Sequence, residues 1–182
     1  MASSRDFLKG ETSINVTEEA RKLTVDVLYS EKGHFAAASF WSKLYFCLGL
    51  PAAVLAAAAG AIFFGKSDDL IPGLFAFGAA ILTAVTTFLN PQERADKHHL
   101  AGIQYSNLRR ELRQFVQIEL NSEIDSDKKQ EKLKKFTKQI HSVQSQSPAI
   151  PYFSWKSAKK MLQQGSAEYT DEELDLAAGK PK

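Results

Sequence analysis

The side chains able to do chemistry in this 182-residue chain are few, and their spacing serves chemistry poorly. His98 and His99 are adjacent, so on a helix their rings point about 100° apart and make a poor chelate. Cys47 is the only cysteine, so no intrachain disulfide can form and no thiolate completes a zinc site. Glu93 and Asp96 lack the partner set that general acid–base catalysis needs. There is no Gly-rich phosphate loop, no Cys-x-x-Cys pair and no nucleophile elbow. An enzyme is therefore not expected, and neither is a metal or a cofactor. The net charge of +2 gives no electrostatic case for nucleic acid.

The more informative residues sit in apolar surroundings. Thr83, Thr87 and Asn90 fall on one helical face with Thr86 adjacent, a mildly polar stripe that could line a water-filled pore. Alternatively, each Thr hydroxyl bonds back to its own helix carbonyls. Ala52, Ala56 and Gly60 recur every fourth residue, as do Gly49, Ala53, Ala57 and Ala61, and further on Ala76, Ala80 and Ala84. Small residues at this spacing let helix backbones approach closely in lipid. They serve either self-assembly or the packing of two spans within one chain.

The elements that hold these residues are two apolar runs, 44–64 and 70–89, with no Asp, Glu, Lys, Arg or His in either. Each is long enough to cross the ~30 Å hydrocarbon core as a helix. Gly65-Lys66-Ser67-Asp68-Asp69 joins them and permits only an antiparallel neighbour. A mean hydropathy of −0.25 conceals the pair, because the rest of the chain is strongly polar. The polar stretch before Leu44 rules out a signal peptide. The spans are only modestly hydrophobic, which favours insertion as a hairpin that then depends on helix packing. The absence of intramembrane charge argues against a proton relay or coupled transport. Lys32 and Lys43 before the hairpin, and Arg94 and Lys97 after it, place both termini in the cytoplasm. Trp41 and Tyr45 fall where an interfacial aromatic belt belongs.

Around the hairpin the reading is helical. Residues 1–14 have no period and are expected to be disordered. Asn15 and Glu18 have capping-box spacing and open an N-terminal helix over 15–43. Leu23, Val27, His34 and Trp41 trace a stripe along it, and Gly33 marks a joint. Asn90-Pro91 predicts a break. Cytosolic helices then fill 91–146. The first, over 92–120, carries a heptad-like seam of Ala101, Tyr105, Leu108, Leu112 and Phe115, to pack on the N-terminal helix, another copy, or both. After a break near 121–126, Asp125, Ser126 or Asp127 caps a helix striped by Leu133, Phe136, Ile140 and Val143. Its lysines, among them Lys128, Lys129, Lys132 and Lys135, form either a solvated face or a contact for anionic lipid headgroups. A short helix and an acidic tail occupy 147–182. The expected fold is an all-α membrane protein: a two-transmembrane hairpin with long cytosolic helices before and after it.

The run Thr86-Thr87-Phe88-Leu89-Asn90-Pro91-Gln92-Glu93-Arg94-Ala95, then His98 or His99, Tyr105, Leu108-Arg109-Arg110-Glu111 and Arg113, resembles the SLATT domain. That name denotes the SMODS and SLOG-associating two-transmembrane effector domain. Pro148-Ala149-Ile150-Pro151 and Tyr169 are similar to features beyond that domain's core helices. The resemblance covers roughly 15–175. It implies an effector of prokaryotic conflict systems: an inner-membrane homo-oligomer that forms a pore or disrupts the bilayer. Activation by a separate nucleotide-signal synthase or sensor protein would lead to cell death or dormancy that limits phage spread. The alternative is a non-enzymatic membrane anchor or scaffold that recruits a cytosolic partner through its helical stalk.

Overall fold

In the computed structural model the described residues are 4–65, 70–122, 125–165 and 176, with side chains described from residue 16 onward. They contain helices and no strand. In chain order these are α1 (Ser4–Phe64), α2 (Leu70–Leu89), α3 (Pro91–Gln114) with a π-helical extension (Phe115–Glu119), α4 (Ser126–Gln146) and α5 (Tyr152–Gln163).

One difference from the sequence reading concerns α1. Its 61 residues form one helix, with no break at 43 and no joint at Gly33. Helix also begins at Ser4, inside the stretch expected to be disordered. Gly33 lacks a side chain for a packing reason: a Cβ there would lie 3.1 Å from Ile150 Cγ2. Pro51 also lies within α1. It forfeits one helical donor, and the helix continues on either side of it.

The elbow between α2 and α3 is where the sequence places it. Proline disfavours right-handed helix at the residue before it, and Asn90 takes the left-handed conformation instead (φ 43, ψ 56), which Asn tolerates better than most. Pro91 then occupies the first helical position, where the missing N–H would have no partner anyway. The backbone ladder is barely interrupted. Asn90 N–H donates to Thr86 O at 3.0 Å and Arg94 N–H donates to Asn90 O at 3.2 Å. Arg94 braces the bend, donating from Nε to Leu89 O at 2.8 Å while its guanidinium lies 5.0 Å from the Trp41 ring centroid.

The core lies between α1 and α3. Val16, Ala20 and Val27 pack against Tyr105, Leu108, Leu112 and Phe115, and α4 closes the cluster with Leu133 and Phe136. Gly102 of α3 makes room for the Phe35 ring of α1, which a Cβ there would approach to 2.9 Å. Lys129 closes the α3–α4 turn by donating from Nζ to Leu120 O at 2.9 Å and Ser122 O at 3.0 Å. Lys132 adds an ion pair to Glu119 at 2.5 Å. These two lysines of the basic run are therefore structural staples, with Lys129 buried.

Candidate functional site

The apolar α1–α3 interface is interrupted by a buried polar cluster. Heptad-like spacing brings His98, Tyr105 and Arg109 of α3 to the seam facing Glu31 and His34 of α1. His34 Nδ1 lies 3.0 Å from His98 Nδ1. The Tyr105 ring stacks on His34 with centroids 5.4 Å apart. Arg109 Nε lies 2.5 Å from Glu31 Oε2, a charged contact without hydrogen-bond alignment. His34 is 2% exposed, Glu31 3% and His98 4%, so no substrate reaches them unless the helices part.

The histidine geometry fixes a protonation pattern. Two nitrogens at this distance need one donor and one acceptor, so one ring is the Nδ1–H tautomer and the other presents a bare Nδ1. A proton on both would set two N–H groups against each other. Burial, and then the charge of His98, lowers His34 to about 4. Burial, and then nearby Arg94, lowers His98 as well. Burial raises Tyr105, an effect that Ser147 and Ser30 beside its hydroxyl oppose. The cluster is thus neutral at its histidines and ion-paired at Glu31–Arg109. It holds α1 to α3, and acid would loosen it. Among the described residues no group of three or more His, Cys, Asp or Glu is placed to hold a metal ion.

The structure places the seam residues in the chain's own core. Ala101, Tyr105, Leu108, Leu112 and Phe115 are all buried, most of them against α1. The threonines take the inward option. Thr83 donates to Ala79 O at 2.8 Å, Thr86 to Leu82 O at 2.8 Å and Thr87 to Thr83 O at 2.9 Å. Asn90 serves the elbow, its amide donating to Glu93.

The small residues divide into two groups. Ala52, Ala59 and Ala79 are buried in the hairpin, and Gly78 admits Leu55, whose Cδ1 lies 3.3 Å from where a Cβ would be. Ala56, Ala76, Ala80 and Ala84 point away from the partner span and are exposed. Gly60 is half-buried, with nothing within 4 Å of a would-be Cβ. The hairpin loop 66–69 and Tyr169 lie outside the described residues.

Glu31 and Arg109 were not legible as a pair. Each reads locally as an ordinary charged helix position, and they meet across the long-range α1–α3 packing. A signal did exist for His34, which sits on the apolar stripe with Leu23 and Val27. A polar residue on a buried stripe calls for a buried partner. No family model, curated protein or solved structure matches the chain.

Proposed function

We propose that the chain is a membrane-embedded effector that assembles through its hairpin and permeabilises the bilayer. The observation that carries this is apolar surface with nothing covering it. Two helices are long and apolar enough to span a membrane, and only 6% of the most apolar stretch in the first and 11% in the second is buried. A core helix of a soluble protein would be mostly buried. Phe46, Leu50, Phe63, Leu74, Phe77 and Phe88 all stand exposed.

The uncovered alanines support assembly. Packing within the hairpin uses Ala52, Ala59 and Ala79 and leaves Ala56, Ala76, Ala80 and Ala84 open for a second copy. Two helices per chain cannot enclose water, so a pore needs several copies. The resemblance to SLATT domains supports a role in prokaryotic antiphage conflict, with a partner protein or nucleotide signal as trigger. The test is membrane fractionation with crosslinking. The chain should resist alkaline extraction and crosslink as oligomers, and Ala56→Leu with Ala80→Leu should diminish the crosslinks. Recovery in the soluble fraction would end the reading. Oligomers in membranes that stay sealed would favour the anchor or scaffold instead.

A further inference from the structure

Beside α1, on the face that meets α5, lies an open cavity of about 480 Å³. That volume is in the range of small-molecule sites. Lys32, Ser39 and Lys43 reach it from α1, and Ser154 and Ser157 reach it from α5. Phe40 and Phe153, with ring centroids 4.5 Å apart, form its apolar wall. Among the described residues no Asp or Glu lines it. Lys32 Nζ lies 4.0 Å from Glu31, a carboxylate that Arg109 already holds at 2.5 Å, so most of the lysine's charge is uncompensated.

Ser154 points to a ligand independently of the charges. It is 1% exposed, and its Oγ has no hydrogen-bond partner. An unpaired buried hydroxyl is costly, and a bound acceptor would relieve that cost. It sits in the first turn of α5, whose N-terminus has no side-chain cap. The free end of a helix adds partial positive charge there. The α1 residues of the lining end at Lys43, immediately before the first apolar span.

We infer that this cavity binds the phosphate headgroup of an anionic phospholipid. Lys43 and Lys32 neutralise the charge, Ser154 donates to a phosphate oxygen, and the aromatic wall packs on the glycerol and first methylenes. The inference rests on the membrane part of the proposed function. A soluble anion would have no use for the apolar wall, whereas a lipid in the adjoining leaflet presents both parts together.

The test uses the full chain in nanodiscs of mixed phosphatidylcholine and phosphatidylglycerol, with retained lipids counted by native mass spectrometry. Wild type should retain phosphatidylglycerol over phosphatidylcholine by about tenfold, two lysines at a headgroup being enough for that preference. The double variant Lys32→Gln, Lys43→Gln should fall to parity. Ser154→Ala should weaken retention about threefold, the loss of one hydrogen bond, while holding or raising lipid-free thermal stability, because it removes an unpaired buried hydroxyl. Displacement of the lipid by millimolar inorganic phosphate would assign the site to a free anion and overturn the lipid reading. Equal preference in wild type and the lysine variant would also overturn it. If the protein sits in the membrane and shows no lipid preference, the cavity proposal fails alone. If it does not enter the membrane, both fail.

Discussion

The Nδ1 atoms of His34 and His98 face each other at 3.0 Å across the α1–α3 interface, in chain segments 64 residues apart. The pair sits where the stalk begins, roughly 12–15 Å along each helix from the apolar spans at 1.5 Å per residue. It is therefore placed to tie the state of the stalk to that of the hairpin.

Acid should weaken this joint. His34 is lowered to about 4 in the folded chain and returns to the ordinary imidazole value of 6.5 on unfolding. Between those values the unfolded state binds more protons, so stability rises with pH. The contribution is complete above about pH 6.5 and is lost as pH falls toward 4, at most about 3 kcal/mol for a shift of this size. The groups facing the pair are Tyr105, Arg94 and the Glu31–Arg109 ion pair, and none supplies a free carboxylate to hold an imidazolium. Denaturation of the detergent-solubilised chain across this range should show the slope, and the double variant His34→Leu, His98→Leu should flatten it. An unchanged slope would place the titration elsewhere.

Breaking the Glu31–Arg109 pair should cost more than removing it. Arg109→Leu leaves the Glu31 carboxylate buried without its main partner, a loss of about 3 kcal/mol. The double variant Glu31→Leu, Arg109→Leu removes both charges and should be more stable than either single change. Chemical denaturation of the four proteins reads the cycle.

Gly102→Ala should destabilise the α1–α3 contact by about 1–3 kcal/mol, because the new methyl meets the Phe35 ring at 2.9 Å. Pairing it with Phe35→Leu should restore part of the loss. Thermal unfolding of the single and double variants checks this.

Topology has its own test. A Ser67→Cys substitution in the hairpin loop should label from outside intact cells with an impermeant thiol reagent, while Cys47 in the first span should not. Labelling that requires lysis would reverse the orientation.

The sequence carries the hairpin well. The expected second apolar run, 70–89, has the bounds of α2, because Asp68 and Asp69 precede it in the sequence and Asn90-Pro91 ends the helix. Asn90-Pro91 also announces itself through backbone chemistry that is local to two residues. The seam from Ala101 to Phe115 is legible because burial repeats at helical spacing, and the structure supplies what periodicity cannot, its partner α1. The continuity of α1 through Gly33 is hidden, since the reason for that glycine is Ile150, more than a hundred residues away in the chain. The lysine run suggests an exposed or lipid-facing cation at Lys129, but it is buried on two carbonyls, Leu120 O and Ser122 O. In each case the missing information is a long-range partner that overrides a local pattern.

The central claim is that uncovered apolar and small-residue faces assemble copies of the hairpin into a permeable structure. Release of a self-quenched dye from sealed vesicles carrying the full chain tests it most directly. Wild type should release dye in a manner that steepens with protein density, and Ala56→Leu with Ala80→Leu should suppress release while the chain stays in the membrane. Vesicles that remain sealed at densities where wild-type copies crosslink into oligomers would contradict it.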